Sequence, residues 1–202
     1  MNPYENCPVF EDDKYLIRLL KKEDIDGLLK VYSDEKSVPF FNSDNCDGDD
    51  FHYTTKERMA QAIDYWLWEY GRQGFIRFSI IDKRLNDFSR ESEDVSGAES
   101  TGTAVGTIEL FRRTAHDYFD GCGLLRLDLR SDYETEERIY DILSLIVHPT
   151  YEMFDCKMIA TKIPQAASER RAAALKTGFK PSDEKLVGDD GTEYGDYFVV
   201  YA

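Results

Sequence analysis

The sequence lacks the features of a membrane-spanning or exported chain. It contains no stretch approaching the ~18–20 uncharged apolar residues that are needed to cross a bilayer. Its first residues, MNPYENCPVFEDDKY, are acidic and contain neither the basic segment nor the apolar core of a signal peptide. We therefore expect a cytoplasmic protein with no membrane partner.

Cysteine, histidine and basic residues are also scarce, and each shortage excludes a class of site. The four cysteines stand far apart with no CxxC pair, and no two of the three histidines have metal-ligand spacing. We therefore expect neither a disulfide framework nor a bound metal. The 25 Lys and Arg residues face 40 Asp and Glu residues, which gives a net charge of −15. Because nucleic-acid binding depends on clustered Lys and Arg, we expect no nucleic-acid partner.

The chain does have enough apolar residues for one folded core. Its 202 residues are 42% hydrophobic and 13% aromatic, which suits a single domain over residues 1–202. Residues 86–102 are the exception, since they are mainly Ser, Glu, Asp, Gly and Thr with almost no apolar side chain. We interpret this segment as a mobile insertion between two strands of the same domain.

Apolar periodicity predicts alternating strands and helices. Helices are predicted over 25–32, from a capping box at Thr54 and Glu57, over 139–147 with His148-Pro149 as the end, and over 165–177. Strands are predicted over 15–20, 75–81, 103–111, 123–129, 157–163 and 197–201. This order predicts an α/β (α+β) fold with a mixed sheet flanked by helices.

Four local patterns, in this order, resemble the GNAT superfamily of N-acetyltransferases. The first is an apolar-Arg-apolar strand followed by a helix with acidic residues in its first turn (15–29), and the second is a strand that contains glycine (104–110). The third is an acid-Tyr pair (132–133), and the fourth is the Leu-Lys-Thr-Gly-Phe end of the last helix (175–179). The resemblance runs from residue 15 to residue 201 and is nearest to the ribosomal-protein N-terminal acetyltransferases. It implies the GNAT fold, a mixed and mostly antiparallel sheet, and acetyl-CoA as co-substrate.

In that family the pyrophosphate of acetyl-CoA binds an Arg/Gln-x-x-Gly-x-Gly/Ala loop before the central helix, where backbone N–H groups and the helix N-terminus face it. The acetyl carbonyl lies in a splay between two parallel strands. The aligned residues 133–138 contain three carboxylates and no glycine. They form either a solvated acidic first helical turn or a distorted but working phosphate loop. The residues that the resemblance places against acetyl-CoA are Leu129, Arg130, Tyr133, Glu134, Thr135, Glu136, Glu137, Arg138, Ser168 and Arg171.

The last helix departs from the family pattern as well. Ala167 stands where the family often has Asn, and Ala174 stands where it often has the Tyr that acts as general acid. Arg170 and Arg171 either reach a 3′-phosphate or are ordinary charges on the helix surface.

Two acidic residues, Glu109 and Asp128, lie on predicted strands near the expected splay. A carboxylate held there can accept a proton from an amine, directly or through a bound water. The resemblance therefore makes them the candidate catalytic residues. The alternative is that each carboxylate points from a solvated face of the sheet.

The segment between the first two helices lines the acceptor groove in GNAT enzymes. Phe40, Phe41 and Asp49, with the neighbouring Asp47 and Asp50, would favour a cationic amine there. The resemblance is also compatible with a homodimer.

These observations support two main hypotheses. The first is acetyl transfer from acetyl-CoA to a primary amine, on a small molecule or a protein N-terminus, or the same transfer from another CoA ester. The second is a non-catalytic GNAT-like module that has lost CoA binding and binds another ligand or a protein partner. The glycine-free acidic loop favours the second hypothesis.

Overall fold

The computed structural model describes residues 2–85 and 102–202. The predicted insertion at 86–102 therefore lies outside the described residues, apart from Gly102. Strands β1 to β10 span Phe10–Glu11, Tyr15–Leu19, Ile76–Asp82, Thr103–Arg112, Gly123–Leu129, Met158–Lys162, Lys180–Pro181, Leu186–Val187, Glu193–Tyr194 and Tyr197–Tyr201. Helices α1 to α4 span Ile25–Tyr32, Lys56–Gly71, Glu136–Phe154 and Ser168–Thr177.

Eight of the strands form one sheet in the order β1-β2-β3-β4-β5-β6-β10-β7, and β8 pairs with β9 in a separate hairpin. Every neighbouring pair in the large sheet is antiparallel except β5 and β6. This confirms the predicted mixed, mostly antiparallel sheet. The parallel pair is in register only from Gly123 to Leu125, opposite Ile159 to Thr161. Beyond Leu125, β5 pairs with β4 alone, so the predicted splay lies beside residues 126–129.

The two faces of the sheet differ in chemistry because side chains alternate along each strand. The face under α3 and α4 is apolar, with Phe78, Ile108 and Leu125 in the main core cluster. The face under α1 and α2 carries a buried set of polar residues, which are Arg77, Ser79, Thr107, Glu109, Arg126 and Asp128. One side of the sheet is therefore held by apolar burial, whereas the other combines a second apolar cluster under α1 and α2 with buried charge pairs.

Helix α3 corrects the prediction that His148-Pro149 ends it, since it continues to Phe154 with Pro149 inside. Pro149 lacks the N–H of a helical hydrogen bond, a change that costs about 3 kcal/mol in a helix interior. The next turn offsets this cost by burying Thr150 and Phe154 against the core, and the Thr150 hydroxyl donates to the Ile146 carbonyl at 2.7 Å. The tertiary contacts therefore outweigh the local signal.

The start of α2 is also shifted by one residue from its prediction. Thr55 is the N-cap, and its hydroxyl accepts from the Arg58 N–H at 3.2 Å. Across residues 2–85 and 102–202, none of the helices combines the length and the apolar character that a membrane-spanning segment needs.

Candidate functional site

A row of three charged residues crosses the centre of the polar sheet face. Arg77 on β3, Glu109 on β4 and Arg126 on β5 stand directly opposite one another. Arg77 Nη2 lies 2.6 Å from Glu109 Oε2, and Arg126 Nη1 lies 2.7 Å from Glu109 Oε1. Both oxygens of Glu109 are therefore held in buried ion pairs.

Asp128 lies one pleat further along β5, on the same face. Its Oδ2 accepts from Arg77 Nη1 at 3.0 Å and from the Tyr32 hydroxyl at 2.8 Å. Its Oδ1 is buried and has no hydrogen-bond partner among the residues that the structure describes. Burial raises the pKa of Asp128 above its ordinary value, although Arg77 and Tyr32 act in the opposite direction. Asp128 is therefore a candidate catalytic acid whose proton affinity is altered by its surroundings.

Above this floor lies a cleft of about 730 Å³, a size that suits a small molecule. Its walls are α2 and the loop of residues 45–53, with Asp189 from the β8–β9 turn at the rim. The aromatic residues that line it are Phe51, Tyr53, Tyr65, Trp66, Phe75 and Phe111. The guanidinium of Arg77 lies 4.3 Å from the Trp66 ring centroid, and that of Arg58 lies 4.4 Å from Tyr53. The chain therefore stacks its own cations on two of these rings.

Every arginine that lines the cleft has a carboxylate partner. Besides the pairs with Glu109, Arg58 lies 2.8 Å from Asp49 and Arg72 lies 2.9 Å from Glu69. Two further lining carboxylates, Asp47 and Asp189, form no ion pair with a cation in the described ranges 2–85 and 102–202. The rim of the cleft therefore carries negative charge that nothing in these ranges neutralises.

The predicted acceptor-binding residues separate into two groups. Asp49 lines the cleft, where it also accepts from the Tyr53 hydroxyl at 2.9 Å. Phe41 does not line it and packs instead on Tyr32, with ring centroids 5.2 Å apart. Phe40 lies at the splay, where its carbonyl oxygen accepts from Arg170 Nη1 at 3.0 Å.

The splay itself holds a side chain of this protein. Arg170, from the first turn of α4, donates through Nη1 to the Leu127 carbonyl at 2.7 Å. Its Nε donates to Glu134 Oε2 at 2.8 Å, and Nη2 donates to the second oxygen of the same carboxylate. The side chains of Arg170 and Glu134 are 5% and 9% exposed, so this bidentate ion pair is buried.

The N-terminus of α3, where the resemblance places a pyrophosphate, also has an internal partner. The Glu136 N–H donates to Glu169 Oε2 at 2.8 Å. The side chains of Glu136 and Glu137 lie 3.9 Å from Lys176 and 3.7 Å from Lys14. The positive end of the helix dipole thus faces a carboxylate of the same chain.

The other predicted cofactor-binding residues contact neighbours in the chain. Arg130 pairs with Asp132, and Arg138 donates to the Asp132 carbonyl. The Tyr133 hydroxyl donates to Asp82, and Arg171 stacks on the Phe198 ring. Leu129 is buried, Thr135 is the N-cap of α3, and Ser168 begins α4.

These contacts do not fit acyl-CoA. The Glu136 N–H at the α3 N-terminus is taken by Glu169, and Arg170 occupies the Leu127 carbonyl in the splay. Without glycine, the loop also lacks the residue type that allows backbone N–H groups to approach a phosphate closely.

Sequence reasoning missed Arg77 and Arg126 as parts of the site. A signal for the two arginines was present, because both are charged residues in otherwise apolar strands. Glu169 gave no such signal, since an acid in the first turn of a helix is common.

Two of the three comparisons with known proteins give little guidance. One family model, described as NADH-ubiquinone oxidoreductase ASHI subunit (CI-ASHI or NDUFB8), matches residues 136–200. It covers less than half of the chain, and in the structure strands β6, β7 and β10 of that region pair into the same large sheet as β1 to β5. It therefore does not assign the chain to that family. No curated protein matches.

Solved structures resemble the chain over nearly its whole length. Mycobacterium smegmatis RimJ in complex with CoA-disulfide has a TM-score of 0.66 at 12% identity, covering 100% of this chain and 90% of that one. Ribosomal-protein-S5-alanine acetyltransferase from Vibrio fischeri has a TM-score of 0.64 at 15% identity, with coverage of 95% and 94%. A GNAT-family acetyltransferase from Bacillus anthracis has a TM-score of 0.63 at 10% identity, with coverage of 96% and 98%. The chain therefore has the GNAT fold, as predicted.

Proposed function

We propose that this chain is a GNAT-fold protein that binds a cationic amine in the cleft between α2, the 45–53 loop and the sheet. One observation carries the proposal. Asp47 and Asp189 stand at the rim without an ion-pair partner in residues 2–85 and 102–202, whereas each lining arginine is paired. A ligand with a positive charge meets unbalanced carboxylates, and a ligand with a negative charge meets only arginines that are already neutralised.

The walls of the cleft suit an amine that is attached to an apolar or aromatic body. Aromatic rings provide apolar contact area and attract a cation through their faces. The 45–53 loop also holds Asn45, Asp47 and Phe51 at φ values of 58, 52 and 59°. A left-handed φ is uncommon for a residue such as Phe, and backbone conformations of this kind cluster at ligand sites. The loop geometry thus supports a binding role.

A second candidate is acetyl transfer to that amine, on a small molecule or a protein N-terminus. Asp128 favours it, since its raised pKa and its buried Oδ1, which has no hydrogen-bond partner in residues 2–85 and 102–202, suit a group that exchanges a proton. The similar solved structures named above are acetyltransferases. The contacts of Arg170 and Glu169 weigh against this candidate, because they leave no fitted position for acyl-CoA.

Three phenols that differ only in their terminal group test the proposal by calorimetric titration at low salt. Tyramine carries an amine, tyrosol a hydroxyl and 3-(4-hydroxyphenyl)propionate a carboxylate. We expect tyramine to bind about tenfold more tightly than tyrosol, and the propionate to bind least. Because the rim charges are exposed, we expect Asp47→Asn and Asp189→Asn each to weaken tyramine binding by about two- to fivefold.

Glu152→Gln is the matched control. It removes the same charge from an exposed position on α3, which covers the opposite face of the sheet, so we expect no change in tyramine affinity. Equal affinity for tyramine and tyrosol, or an equal loss in the control variant, would contradict amine recognition by the rim carboxylates.

A further inference from the structure

We propose that the first turn of α4 is an internal occupant of the acyl-CoA position, so that this chain holds its cleft ligand without acyl transfer. The part concerning the cleft ligand rests on the proposed function above. The part concerning acyl-CoA rests on Glu169, Arg170 and Glu134 alone. These residues lie at the α3 N-terminus and in the splay, where the fold implies a CoA thioester.

Arg170 makes four hydrogen bonds in the splay. It donates to the carbonyls of Leu127 and Phe40 and twice to the Glu134 carboxylate. A pantetheine arm that enters the splay has to displace this guanidinium from the strand carbonyl. Displacement also separates a buried ion pair and leaves Glu134 without a counter-charge, which is strongly unfavourable in a buried site.

Glu169 has the corresponding role at the α3 N-terminus. Its carboxylate accepts the Glu136 N–H, so the helix dipole already holds an anion. A pyrophosphate would have to replace that carboxylate and would then face Glu134, Glu136 and Glu137 as well. Like charges at such short range repel, and no glycine in residues 133–138 allows a closer approach to compensate.

The two positions are filled by consecutive residues of one helical turn, which makes them a single structural unit. Ser168 begins α4, and the side chains of Glu169 and Arg170 reach the two sites from there. The geometry of α4 therefore fills both ends of the acyl-CoA position together.

Titration calorimetry with acetyl-CoA tests the occupant directly. We expect the wild-type chain to show no binding up to about 1 mM acetyl-CoA, and Glu134→Ala/Glu169→Ala to bind it at least about tenfold more tightly than this limit. The double variant frees both the α3 N–H group and the Arg170 guanidinium to face a phosphate. Micromolar binding by the wild type, or no gain in the folded double variant, would overturn the proposal.

A matched control separates occupation from net charge. Glu152→Gln/Asp155→Asn also removes two negative charges, but both residues are exposed at the C-terminal end of α3, and neither contacts Arg170 or the α3 N-terminus. We expect a gain of less than about threefold in this variant. An equal gain in both double variants would show that charge alone excludes the thioester. Should Glu134→Ala/Glu169→Ala not fold, Glu169→Ala at its exposed site provides the same comparison with Glu152→Ala.

Tyramine titration of the same variants keeps the two proposals apart. The cleft does not include Glu134 or Glu169, so we expect unchanged tyramine affinity in all of them. Loss of amine binding alone would count against the proposed function, whereas acetyl-CoA binding by the wild type alone would count against the internal occupant.

Discussion

Replacing Arg77 with alanine is expected to lower the free energy of unfolding by about 3–5 kcal/mol, the cost of removing one partner from a buried ion pair. Arg77 is 1% exposed and pairs with both Glu109 and Asp128. Burial opposes the charge on Arg77, but these carboxylates outweigh it and raise its pKa further. Without the guanidinium, Asp128 remains buried beside Tyr32 with no ion-pair partner in the described ranges.

Urea unfolding followed by circular dichroism measures this loss. The control is Arg112→Ala, because the Arg112 side chain is 50% exposed and lies 3.8 Å from a fully exposed Asp155. We expect the control to change the free energy of unfolding by less than about 0.5 kcal/mol. A similar loss of unfolding free energy in both variants would show that the buried ion pairs of Arg77 do not contribute specifically to stability.

Replacing Trp66 with alanine is expected to cost about 3–5 kcal/mol of stability, the range for a buried aromatic residue. The Trp66 side chain is 2% exposed and contacts the rings of Tyr32 and Tyr53 at centroid distances of 5.4 and 6.4 Å. It also stacks on Arg77, so we expect the loss in the Arg77→Ala/Trp66→Ala variant to differ from the sum of the two single losses.

Trp68 on the same helix provides the comparison for Trp66. It is 59% exposed, and we expect Trp68→Ala to cost less than about 1 kcal/mol. Because Trp66 lines the cleft, its loss should also weaken tyramine binding, which calorimetry on the folded variant can measure. If the stability losses of Trp66→Ala and Arg77→Ala add exactly in the double variant, the two residues do not belong to one interacting network.

The strands and helices could be predicted because local periodicity and composition agree with the fold. The strand of residues 123–129 and the helix of residues 25–32 follow directly from apolar spacing. Pro149 shows the limit of this reasoning, since a local rule ended α3 where core contacts with Phe154 continue it. The residues next to Pro149 do not show that the following turn of the helix will be buried against the core.

The site was harder to predict because its chemistry depends on contacts between distant residues. Glu109 and Asp128 could be chosen from their strands, but their partner Arg77 lies more than thirty residues earlier in the chain. Similarly, Glu134 signals an acidic loop, yet only the structure brings Arg170 to it across 36 positions. The sequence therefore indicates that the phosphate loop is unusual without showing what fills the cofactor position.

The most direct test of the account combines the two ligands in one reaction. The purified chain is incubated with tyramine and about 1 mM acetyl-CoA, a concentration at the upper end of ordinary KM values, and N-acetyltyramine is measured by mass spectrometry. We expect no N-acetyltyramine above the protein-free control, although tyramine occupies the cleft. Turnover that disappears in Asp128→Asn would contradict the account and establish acetyl transfer.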